Sequence, residues 1–115
     1  MKKVMLKVVT VPGQPEPLVY SEHIIQMLQR PKSVGPMGVP VTTAAEMRIS
    51  VPILEKVEVA VVNGQTYVLL EDAEFKDLCE RAENHTFAMN HRVLSDMVDD
   101  IIGSDDYLVE VPKEG

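Results

Sequence analysis

Apolar positions along this chain change period several times, and each change marks an element. Lys3 to Val11 is rich in β-branched residues and alternates imperfectly, which predicts a strand stopped by Pro12-Gly13. Its nearly continuous apolar content predicts cover on both faces. Pro12 to Pro17 reads as a turn-rich connector. A helical period follows from Tyr20 to Arg30, with Ser21 as N-cap, Ile24, Ile25, Leu28 and Met27 as the apolar stripe, and Pro31 as the stop.

The longest periodic stretch starts at Thr43. Thr43 and Glu46 have capping-box spacing, so the hydroxyl can accept from the Glu46 amide while the carboxylate reaches back to the Thr43 amide. Met47, Val51, Leu54, Val57 and Val61 then recur at three- and four-residue steps and predict one apolar face. Pro52 interrupts the ladder, a defect of ~3 kcal/mol in a helix interior. The expectation is a kink there, or two short helices with Ser50 capping the second. Asn63-Gly64 supplies the stop, and Tyr67 to Leu70 reads as a short buried strand. Asp72 is placed to cap a helix through about Glu83 with Phe75, Leu78, Cys79 and Ala82 inward. After the Asn84-His85 turn, Thr86 or Asn90 starts a last helix whose stripe is Phe87, Leu94, Met97 or Val98, and Ile101, ended by Gly103. Tyr107 to Val111 alternates again and predicts a terminal strand, with the N-terminal strand as its mate.

These elements predict an α+β fold in one small globular domain, residues 1–115. Three to four helices pack on a two- or three-stranded sheet formed by the N-terminal, central and C-terminal strands. The exception to periodicity is the stretch from Pro31 to Val41. It holds three prolines and two glycines yet is not polar, because Val34, Met37, Val39 and Val41 punctuate it. An extended arm with apolar side chains every two or three residues either covers its own core or packs on a neighbouring subunit or partner. The Gly-Lys-Ser/Thr ending of a phosphate-binding loop is missing from it.

Composition narrows the function classes. The apolar share of 45% supports a globular chain, and a single cysteine, Cys79, excludes an internal disulfide and points to a reducing compartment. Met1-Lys2-Lys3 is basic, but the apolar run after it contains Lys7 and is only strand-length, so no secretory signal is expected. No run approaches the ~18–20 apolar residues of a membrane span. The net charge of −7 is uneven. Seven Lys/Arg and four Asp/Glu in residues 1–56 give +3; four and fourteen in residues 57–115 give −10. An acidic total argues against broad phosphate binding, and the helix from Asp72 to Glu83 is too acidic to read DNA as the recognition helix of a winged-helix domain.

Candidate chemistry is sparse. His23, His85 and His91 match no zinc spacing, and Cys79 lies on an apolar stripe where a thiol behaves as a small hydrophobe. Asp96, Asp99 and Asp100 share one helix face, followed by Asp105 and Asp106, and are the one carboxylate cluster that could meet a cation or a basic partner. Calcium-loop spacing is absent. Acids at a helix C-terminus oppose the dipole, each by ~0.3–1 kcal/mol when exposed, which favours the basic partner. No catalytic set, resident metal or cofactor is expected.

At Glu46-Met47-Arg48, Leu54-Glu55-Lys56 and Leu69-Leu70-Glu71-Asp72-Ala73-Glu74 the chain resembles small uncharacterised accessory proteins encoded by tailed bacteriophages. The resemblance covers about the central and C-terminal two-thirds of the chain. Pro52 departs from the uninterrupted helix of that pattern. It implies a non-enzymatic accessory or assembly role, in the host cytoplasm or the virion, and carries no catalytic residue across. The residues and the resemblance together predict a cytoplasmic protein-binding or assembly module, partnered by protein and self-associating. Its contacts are expected at Val34, Met37, Val39 and Val41 of the arm and at Asp96, Asp99 and Asp100. Two other classes compete: a nucleic-acid-associated regulator using the basic N-terminal half, and a metal-dependent enzyme using the acidic helix face.

Overall fold

Alternation begins at Lys2 and sets the first strand, β1 (Lys2–Met5), with Val4 fully buried and Met5 partly exposed on the opposite face. The structure, a computed structural model, describes residues 1–85, 87 and 92–106. The N-terminal apolar run is not one strand covered on both faces. It divides at Leu6-Lys7 into β1 and β2 (Val8–Val9), and β2 pairs antiparallel with β3 (Leu18–Val19) in a separate two-stranded ribbon. Val8 is 65% exposed, so the apolar content of this stretch exceeds what the core takes up.

Helix α1 (Tyr20–Gln29) leaves β3 directly, and the Tyr20 amide donates to the Lys7 carbonyl. Ser21 therefore lies inside the first turn, buried, and does not act as the cap. Ile24, Met27 and Leu28 face the core as the spacing predicts, with Ile25 half-buried at its edge. Next comes a hairpin of β4 (Ser33–Val34) and β5 (Pro40–Val41), closed by a 3₁₀ turn at Pro36–Gly38.

Helix α2 (Ala44–Val62) is one unbroken element of 19 residues, not two. Its start is the expected capping box: the Glu46 amide donates to Thr43 Oγ1 at 3.2 Å and the Thr43 amide to Glu46 Oε2 at 3.3 Å. Pro52 is exposed, so its ring and the Arg48 carbonyl it leaves without an amide lie on the wet side of the helix. Ser50 is buried mid-helix and caps nothing. The end is a Schellman motif. Gly64 takes the left-handed conformation (φ 67°), its amide donates to the Val61 carbonyl, and the Gln65 amide reaches back to Ala60.

Strand β6 (Tyr67–Leu70) pairs antiparallel with β1, Val4 opposite Val68, and β7 (Asp105–Asp106) pairs on β1's other side, giving the order β6-β1-β7. The expected strand at Tyr107–Val111 lies outside the described residues; the pair just before it joins β1, the anticipated mate. Helix α3 (Asp72–Asn84) starts one residue earlier than predicted, with Glu71 as the cap residue, whose amide donates to Glu74 at 3.0 Å. Helix α4 (Arg92–Ile102) buries Met97 and Ile101, and Gly103 ends it with its amide on the Asp99 carbonyl. The proposed starts at Thr86 and Asn90 lie outside the described residues. The fold is α+β, with four helices and a small three-stranded antiparallel sheet among the described residues. Helix α1 packs on α2 and α3, α3 on α4, α2 on β6 and α4 on β1. The centre is filled by Val4, Ile24, Met27, Ile53, Val57, Leu70, Leu78, Met97 and Ile101, each at most 1% exposed.

Candidate interaction surface

The proline- and glycine-rich arm is held at its root by three carboxylates. Ser33 donates its hydroxyl to Glu46, the residue that also closes the capping box of α2, and this bond draws the Glu46 carboxyl below its ordinary range. On the other side, Lys32 pairs with Asp77 and Glu80 of α3. Asp77 in turn accepts from Arg81 Nε at 2.8 Å. Arg81 is 6% exposed, and its Nη1 donates to the carbonyls of Met27, Leu28 and Arg30, which are end-of-helix acceptors of α1. A buried guanidinium thus closes α1 and fixes the point from which the hairpin departs. Sequence reasoning missed this pair. The signal was present, an Asp and an Arg four apart and flanking Leu78 and Ala82.

Beyond the root, the hairpin turns its apolar side chains to solvent. Val34 is 72% exposed, Val39 56% and Val41 36%, and Met37 at the tip is wholly exposed. Met37 also carries φ 63°, a left-handed conformation that costs a non-glycine residue ~1–2 kcal/mol. The two strands sit closely at Gly35, where an added Cβ would meet Val41 Cγ1 at 2.9 Å. So the arm does not fold back over its own core; it is an ordered finger with an apolar exterior.

Helix α2 shows a second uncovered surface. The stripe predicted to be buried is mostly not: of Met47, Val51, Leu54, Val57 and Val61, only Val57 is fully inside. The core face is Ser50, Ile53, Val57 and Ala60, turned by roughly 80° from the predicted one at 100° per residue. The reason is that α2 is apolar nearly all round, so periodicity leaves its phase open. Met47, Ile49, Val51, Val59, Val61 and Val62 are 42–85% exposed.

The acidic cluster is divided by its surroundings. Asp100 accepts from the Tyr20 hydroxyl at 2.6 Å and from Lys7 at 3.3 Å, contacts that hold its carboxyl below the usual range. Burial, then this same bond, pushes the Tyr20 hydroxyl well above its ordinary value. The uncompensated dipole cost read from the sequence is therefore offset at Asp100 by side chains far away in the chain. Asp96 and Asp99 stay exposed on α4. Among the described residues no three His, Cys, Asp or Glu side chains gather to hold a metal ion. Lys2–Asp106, Lys7–Asp100, Lys32–Asp77 and Lys56–Glu74 join the basic half of the chain to the acidic half, and this takes lysines away from any phosphate-binding face.

Cys79 is half-buried, and burial followed by the nearby Glu83 raises its thiol pKa, away from nucleophilic chemistry. His23 and His85 flank Phe87, with His85 edge-on at 4.7 Å between ring centroids. Burial lowers the pKa of both. His91 lies outside the described residues. No described helix is long and apolar enough to cross a membrane. No protein-family model, no curated protein and no solved structure matches this chain.

Proposed function

We propose that this chain is a non-enzymatic assembly module that associates with itself through the outer faces of the β4–β5 hairpin and α2. One observation carries the reading. Large apolar side chains stand in water on two elements that are joined at Glu46 and are otherwise well held. Scattered single hydrophobes need no explanation, but a run of this size on adjoining elements marks a contact surface. The left-handed Met37 fits the same reading, since strain kept at an exposed tip is a cost with no return inside the monomer. Particle assembly, the role that a resemblance to tailed-phage accessory proteins would imply, is the setting this proposal gives the module.

Light scattering on Val34→Ser/Met37→Ser/Val39→Ser tests it. These side chains are exposed, so the fold should survive while the mass falls toward one chain. An unchanged oligomer would remove the hairpin from the contact surface.

A further inference from the structure

The outward side of α2 is not only apolar. At 100° per residue, Arg48, Val51, Glu55, Glu58, Val59 and Val62 fall on one broad face, and all six are exposed. Arg48, Glu55 and Glu58 make no ion pair among the described residues. The charge order matters: the cation sits near the N-terminal end and the two acids toward the C-terminal end. Two copies packed parallel would set Arg48 on Arg48 and each glutamate on itself. Two copies packed antiparallel would set Arg48 beside the acids of the other chain, and would also oppose the two helix dipoles.

We infer that the occupant of this face is a second copy of the chain, with the two α2 helices antiparallel about a two-fold axis near Pro52–Ile53. The inference rests on the self-association reading above and gives it a geometry. At 1.5 Å rise per residue, that axis sets Arg48 level with the partner's Glu58, Val51 with the partner's Glu55, and Ala44 with the partner's Val62. The last pairing lies at the C-terminal end of α2, which holds the most exposed valine of the helix, Val62 at 85%, beside a shallow cavity of about 410 Å³ lined by Glu58, Val59, Val62 and Asn63.

The test uses the full chain in a Cys79→Ser background, with Ala44→Cys and Val62→Cys made separately; both positions are exposed. On oxidation, an equimolar mixture should give a covalent dimer of the two variants, while each alone should not link to itself. Self-linking of either variant alone would overturn the antiparallel arrangement. A dimeric mass with no linking in the mixture would remove α2 from the interface and leave self-association standing. A monomeric mass would remove both. Charge reversal gives an independent reading. Arg48→Glu should weaken dimerisation on the order of tenfold, and adding Glu58→Arg in the same chain should restore most of it. No change with Arg48→Glu would contradict the pairing.

Discussion

Arg81 is the side chain whose removal reaches furthest. It satisfies three carbonyls at the end of α1 and neutralises Asp77, all in a buried setting. Arg81→Ala is expected to cost ~3–5 kcal/mol, because it strands a buried carboxylate and several acceptors. A thermal melt would show a fall in Tm of more than ten degrees; a fall of a degree or two would mean that Lys32 alone suffices for Asp77. Tyr20→Phe removes one bond to a carboxylate that keeps Lys7, so a loss of ~1 kcal/mol is expected. Acid should act in two steps. His23 and His85 have folded-state pKa values below the ordinary 6.5, so the folded chain binds fewer protons than the unfolded one as pH falls through 6.5. Stability is then full above about 6.5 and declines below it. Asp100 is depressed from 3.8, so its contribution persists above that value and is lost only at lower pH. Urea titrations at pH 8, 6 and 5 check the first step; equal midpoints would contradict it. Little of this residue-scale network was legible in advance. Tyr20 and Asp100 are eighty positions apart, and nothing local in either segment announces the bond.

At the scale of elements, local chemistry was easier to read than orientation. The Thr43–Glu46 box and the Gly64 stop bound α2 from sequence alone, because capping depends on neighbours in the chain. Which face of α2 turns inward was not readable. Ten of its positions from Met47 onward are apolar, on nearly every side, and only packing against α1, β6 and α3 selects the phase. Pro52 shows the same limit: a strong local breaker is tolerated because it points to water. Pro52→Ala should therefore stabilise the monomer by ~1–3 kcal/mol, through a restored bond to the Arg48 carbonyl. Thr43→Ala should cost ~1 kcal/mol, and more in hairpin order than a lone cap would, since Glu46 also holds Ser33. Amide exchange at Gly35, whose amide donates to the Val39 carbonyl across the hairpin, reads that second effect; unaltered protection there would separate the cap from the hairpin.

For the whole molecule, the α+β class and the central sheet followed from the order of periodic segments, and the arm from its punctuation by prolines. The charge asymmetry was legible too, but its meaning was not. Among the described residues, four lysines of the first half pair with five carboxylates of the second, so the two halves fold against each other. What they leave over is apolar surface on the hairpin and α2, and the central claim is that another copy covers it. Sedimentation equilibrium of the unmodified chain, run across a hundredfold range of concentration, tests this most directly. The account predicts a mass that rises from the 12.8 kDa of one chain toward twice that value. A mass that stays at one chain throughout would contradict it.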